Sequence, residues 1–319
     1  MQKQVYIDKG LSDAIKLLAA VMISMHHYSQ YVCANHLSDN IIYKLLSSQG
    51  GYLGVAIFFL LSGYGLMESE QKHSMLPWQF VRRRLLKVYF PVLLVTLLWL
   101  PIYYYFVAEQ GTINFTDVYR GYLIIKDLMF DFHDGVLWFV KALLVLYIVF
   151  FVFTYAYKRN IFFAFTILAI LTFTISVICA CIFGMHTFIS VPMFMVGIIA
   201  SACKNMNINI FNASLFALVV SFMFVWLLLN LWSCDGNMLI HCIINYIIVG
   251  AFIIICTTYK IKVSITKCLS TVSFDMYLVH NKVLTLSKCL FSIVPLWIFV
   301  LGTIISTIIY GGIRKMLKI

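Results

Sequence analysis

The sequence predicts an all-α fold: a polytopic integral membrane protein of about ten transmembrane helices, with both termini cytoplasmic. Three observations carry that prediction. Hydrophobic residues make up 63% of the chain and charged residues 11%, and mean hydropathy is +0.96, outside the range of ordinary soluble domains. The apolar residues fall into runs of the length needed to cross a bilayer, roughly 17–25 residues. The basic residues gather on alternate connections, as cytoplasmic loops require.

In chain order the runs are 13–32, 51–67, 86–107, 136–157, 161–182, 187–203, 210–232, 239–258, 269–290 and 296–313. One set of loops and ends holds Lys3, Lys9, Lys16, Lys72, Arg82, Arg83, Arg84, Lys87, Lys158, Arg159, Lys204, Lys260, Lys262, Lys267, Arg314, Lys315 and Lys318, which is 17 of the 23 basic residues. The opposite side holds Asp39, Glu109, Asp117, Asp127, Asp131, Asp134 and Asp235. An even number of spans then puts both ends on the basic, cytoplasmic side. The net charge of +11 is therefore a topology signal, and no nucleic-acid partner is expected.

Most connections are short. The exceptions are the outer segment 108–135 and the cytoplasmic segment 68–86, whose Pro77-Trp78-Gln79-Phe80-Val81-Arg82-Arg83-Arg84 reads as an amphipathic interfacial helix. The first run carries Asp13, Lys16 and two histidines and leads directly into further spans, which does not fit a cleavable signal peptide. Nine cysteines include no CxxC pair, so neither a disulfide framework nor a metal site is expected. No repeat, low-complexity tract or soluble appendage is visible, and residues 1–319 read as a single transmembrane domain.

The chemistry concentrates in the first run. Lys16 and His27 are eleven residues apart, which on a helix leaves them roughly 20° from alignment and about 16 Å apart along the axis. The lysine then lies near one membrane surface and the histidine near the bilayer centre, where an ionisable group marks a functional site by default. His26 points about 100° away and is expected to pack or bond locally. His280 follows the last cytoplasmic lysine of its span, Lys267, by thirteen residues, and so reaches a depth near that of His27. Asp275 and His280 differ by about 140° on their helix, a poor arrangement for a dyad.

Four stretches together resemble the membrane-bound acyltransferase family 3. They are Asp13-x-x-Lys16 with His27 following; Gly54 through Phe58-Phe59-Leu60-Leu61-Ser62-Gly63-Tyr64; Arg83-Arg84-Leu85-Leu86-Lys87 before Pro91; and Ser273-Phe274-Asp275-Met276-Tyr277-Leu278-Val279-His280. Lys87 stands where the family has its second arginine, and lysine lacks the guanidinium fork. Leu137-Trp138-Phe139 and Pro192 to Gly197 are weaker matches in the same order.

That resemblance implies an O-acyltransferase. It would move an acyl group, usually acetyl, from a cytoplasmic acyl-CoA to a hydroxyl of a cell-envelope or exported carbohydrate. His27 is then the catalytic residue, and Asp13, Lys16, Ser62, Tyr64, Arg83, Arg84 and Lys87 bind the acyl-CoA. Trp138, Asp275, Tyr277 and His280 form a second group of site candidates. Acyl-CoA is a co-substrate, with no permanently bound cofactor. The carbohydrate acceptor, lipid-linked or polymeric, and membrane lipid complete the partners, and the inner membrane is the expected location.

Plainer readings stand beside these. Ser62-Gly63 reads equally well as a close helix contact, the basic run as a lipid anchor and Trp138 as an interface anchor. A transporter or flippase of lipid-linked sugars would show repeated halves with broken helices, and none is seen. A polysaccharide polymerase calls for an arginine-bearing outer loop, whereas 108–135 is mostly acidic.

Overall fold

The computed structural model describes residues 7–72, 77–107, 137–184, 187–203 and 269–318, and every regular element among them is helical. Five of these helices, Ile41–Lys72, Trp78–Ile102, Trp138–Tyr157, Ile161–Ile182 and Leu296–Met316, are long and apolar enough to cross a membrane. The chain is a multi-pass membrane protein. The expected spans 210–232 and 239–258, and the outer segment 108–135, lie outside the described residues.

Helix α1, Lys9–Ala34, extends the first expected span by a few residues at each end. The second span starts earlier than expected: α2 (Ile41–Leu45), a π-helical turn (Leu46–Gly50) and α3 (Gly51–Lys72) follow without a break. Glu68, Glu70 and Lys72 are therefore the last turn of a helix. The basic stretch differs similarly from expectation. α4 (Pro77–Phe80), a π turn (Val81–Leu85) and α5 (Leu86–Ile102) are contiguous, so the segment expected to lie separately at the interface is the opening of the third helix. Valine, three arginines and leucine contain nothing that stops a helix. A further π turn, Tyr103–Val107, follows α5.

Next come α6 (Trp138–Tyr157) and α7 (Ile161–Phe183), the latter capped by the Asn160 side chain accepting from Phe163 N–H. Within the sixth expected span, α8 (Thr187–Ser190) and α9 (Met193–Cys203) are separated at Val191-Pro192, because proline has no N–H to continue the ladder. The ninth span is α10, Leu269–Leu290, and the tenth is α11, Leu296–Met316.

The chain divides into two compact units, Met1–Ala19 with Tyr52–Phe80 and Ala142–Ser264, and Ala20–Gly51 with Val81–Lys141 and Ile265–Ile319. In the first unit α3 is central: Val55 to Leu61 are all buried. A Cβ on Gly63 would overlap the Phe194 carbonyl, and one on Gly197 would overlap the Leu60 carbonyl, so α3 and α9 touch backbone to backbone. Further along both helices the Ser201 hydroxyl donates to Glu68 Oε1 at 2.9 Å, and Gln71 Nε2 donates to the Ser201 carbonyl at 3.3 Å.

In the second unit α10 and α11 form an antiparallel hairpin, since Gly302 lies against Val283 while Gly311 lies against Asp275. Tyr28, Tyr31, Val32, Leu284, Val294 and Phe299 make its core. Tyr28 stacks on Phe299 at 5.1 Å and donates to the Val294 carbonyl at 3.0 Å, while Tyr31 Oη accepts from Val294 N–H at 3.0 Å. The hairpin loop is thereby tied to α1.

Candidate active site

The second unit brings three histidines into one row. His27, half-buried on α1, stacks on His280 of α10 with ring centroids 5.3 Å apart and planes 28° apart. His26 meets His27 edge-on at 5.0 Å. Each Nδ1 faces an oxygen: that of His26 lies 2.8 Å from the Leu46 carbonyl, that of His27 3.1 Å from Gln30 Oε1, and that of His280 2.7 Å from the Tyr277 carbonyl. These oxygens only accept, so Nδ1 carries the hydrogen in all three rings, and a neutral His27 keeps its lone pair on Nε2. That is the tautomer a general base needs.

The three rings are held differently. His280 is fully buried, and its neighbour Tyr277 lies edge-on to Phe139 at 5.3 Å. His26 is buried against the π turn that precedes α3, where a Cβ on Gly51 would collide with its ring. His27 has the least enclosed ring. Its partner Gln30, three residues on, shares its helix face. π turns inside helices occur frequently at functional sites.

The basic cluster sits on another π turn of the same unit. Arg83 and Lys87 are exposed four residues apart on one face, while Arg84 is half-buried and its Nε has no hydrogen-bond partner among the described residues. An exposed cationic face beside a guanidinium with an unused donor is suited to phosphate oxygens.

A family model described as an acyltransferase domain, acyltransferase 3, matches residues 11–313, nearly the whole chain. The chain belongs to the acyltransferase 3 family. It is an acyltransferase. No significant match to a curated protein or to a solved structure was found.

The remaining site candidates of this acyltransferase are distributed as follows. Asp13 and Lys16 lie one turn apart on the part of α1 that belongs to the first unit, both half-buried. Ser62 is half-buried on α3, and the buried Tyr64 hydroxyl accepts from Ile7 N–H at 3.3 Å, which ties the chain before α1 to α3. Trp138 opens α6, half-buried between buried Leu137 and Phe139.

Asp275 does not meet His280. It pairs with Arg314 of α11, Nη2 to Oδ2 at 3.0 Å, with both side chains buried. The sequence reading placed Arg314 with the cytoplasmic topology charges; the structure buries it as the partner of Asp275. The signal for it was available, since a carboxylate within an apolar span demands a cation on a neighbouring helix. Gly311, three residues before Arg314, leaves the room: a Cβ there would stand 3.1 Å from Asp275 Oδ2. Gln30 was also missed, although its spacing from His27 by three is a recognisable helix-face relation. Among the described residues no three His, Cys, Asp or Glu side chains are grouped to hold a metal ion.

Proposed function

We propose that this acyltransferase is an O-acyltransferase of the inner membrane. In this reading it moves an acyl group, acetyl in the first instance, from cytoplasmic acyl-CoA to a hydroxyl of a cell-envelope or exported carbohydrate, lipid-linked or polymeric. The observation that supports it most is the stacked His27–His280 pair. Membership of the acyltransferase 3 family supports the reaction class.

In this reading Arg83, Arg84 and Lys87 bind the acyl-CoA phosphates. His27 Nε2 takes the proton from the acceptor hydroxyl as its oxygen attacks the thioester carbonyl. The C–S bond breaks, and the imidazolium returns the proton to the departing thiolate. His280 orients the His27 ring by stacking. Ten spans with cytoplasmic termini put the cationic residues on the donor's side of the membrane.

Two measurements test the reading. Mass spectrometry of the surface glycan from cells with and without the protein should show acylation only in its presence; identical glycans would exclude this acceptor class. Donor binding by purified Arg84→Ala protein should be weakened, since each charge-assisted contact is worth about 1.5–3 kcal/mol. Unchanged affinity would leave the basic turn as a topology signal alone.

A further inference from the structure

The Nδ1 partners of the three histidines differ in kind. Those of His26 and His280 are the backbone carbonyls of Leu46 and Tyr277, which the fold itself supplies. That of His27 is a side chain, Gln30 Oε1, at 3.1 Å. Both residues belong to α1. Three residues on, Gln30 lies about 60° round the helix from His27 and about 4.5 Å further along it, so the helix alone keeps the two groups within reach. Gln30 is exposed and stands outside the core that Tyr28, Tyr31 and Val32 join, so packing does not account for it.

The chemical consequence lies across the ring. A neutral imidazole that donates from Nδ1 carries its lone pair on Nε2, so the partner of one nitrogen sets the task of the other. When Nε2 takes the proton, the O–H bond of the substrate hydroxyl breaks, an N–H bond forms at Nε2 and the ring becomes a cation. Nδ1 keeps its hydrogen throughout. Its bond to the Gln30 oxygen then becomes charge-assisted and roughly twice as strong as before. An interaction that strengthens as charge develops lowers the barrier rather than merely tightening the bound state. An amide does this without a formal charge, whereas a carboxylate there would favour the imidazolium even before reaction.

We propose that Gln30 is the positioning residue of His27: its amide oxygen holds the Nδ1–H tautomer and the ring orientation that direct Nε2 to the substrate hydroxyl. This role rests on the reading of His27 as the base.

The test is solid-state NMR of the full-length protein, isotope-labelled at histidine and returned to lipid bilayers, with His27 assigned by the signals lost in His27→Ala. In the parent the neutral His27 ring should carry its hydrogen on Nδ1. Gln30→Met, close in shape but with no oxygen to accept, should give a mixture of the two tautomers. Gln30→Glu should keep Nδ1 protonated. Glycan acylation in cells at matched membrane abundance should fall by about 10- to 100-fold in Gln30→Met, and Gln30→Glu should exceed Gln30→Met severalfold. Hydrogen on Nε2 in the parent, a spectrum unchanged by Gln30→Met, or parental acylation by Gln30→Met overturns the role of Gln30. Parental acylation by His27→Ala, with the tautomer still governed by Gln30, overturns instead the reading of His27 as the base.

Discussion

His26 and His27 are adjacent in sequence and opposite in role. His26 has its Nδ1 on the Leu46 carbonyl and its ring against Gly51, so it clamps the π turn to α1. Removing it loses that hydrogen bond, at a cost of about 0.5–1.5 kcal/mol. His26→Ala should lower the thermal midpoint of the purified protein while the folded fraction keeps most of its acyl-transfer rate. His280 differs again, since it acts on His27 through ring contact. Losing that support in His280→Ala should cost up to about 10²-fold in kcat, the scale of a small misplacement at a reacting group. His280→Phe, which keeps a ring for His27 to lie on, should recover much of that loss. Equal loss in the two variants would show that the His280 nitrogens, rather than its ring, are required. The sequence separated these residues in part. Helix phase alone set His27 with Lys16 and turned His26 away. It did not reveal what His26 holds, because Leu46 and Gly51 reach it only through a π turn with no distinctive local signature.

At the scale of elements, two motifs that look independent in the sequence are one contact. Ser62-Gly63 on α3 and Pro192 to Gly197 on α9 meet where each glycine accepts the other helix's carbonyl against its Cα. A methyl at either position must push the backbones apart, so Gly63→Ala and Gly197→Ala should each destabilise by about 1–3 kcal/mol, read as a lower unfolding temperature in detergent. A neutral effect at both would argue against the backbone contact. The Asp275–Arg314 pair ties α10 to α11 in the same sense. Arg314→Met alone strands a buried carboxylate and should cost about 3–5 kcal/mol, whereas Asp275→Leu combined with Arg314→Met should recover most of that stability. The sequence shows that Asp275 needs a cation but not which one, because residues far apart in sequence carry no mark of which helices become neighbours. Apolar run length, by contrast, is a local property, and it located the C-terminal end of α10 at Leu290 and α1 within a few residues.

For the whole molecule, hydropathy located the long helices but blurred the feature that distinguishes the site. Among the described residues, the five helices that qualify as membrane spans by length and apolarity exclude α1 and α10, the two that supply the histidine row. Their polar side chains lower hydropathy for the reason that makes them functional: groups that are costly in hydrocarbon persist where they have work to do. Charge distribution further predicts a fixed orientation. Reporter fusions at the two ends of the chain should both report the cytoplasm, and opposite locations would break the ten-span topology. The central claim is that His27 takes the proton from the acceptor hydroxyl. Its most direct measurement is glycan acylation by His27→Ala, His26→Ala and parent proteins at matched membrane abundance. The account predicts a loss of about 10²–10⁴-fold for His27→Ala and near-parental activity for folded His26→Ala; parental activity in His27→Ala would contradict it.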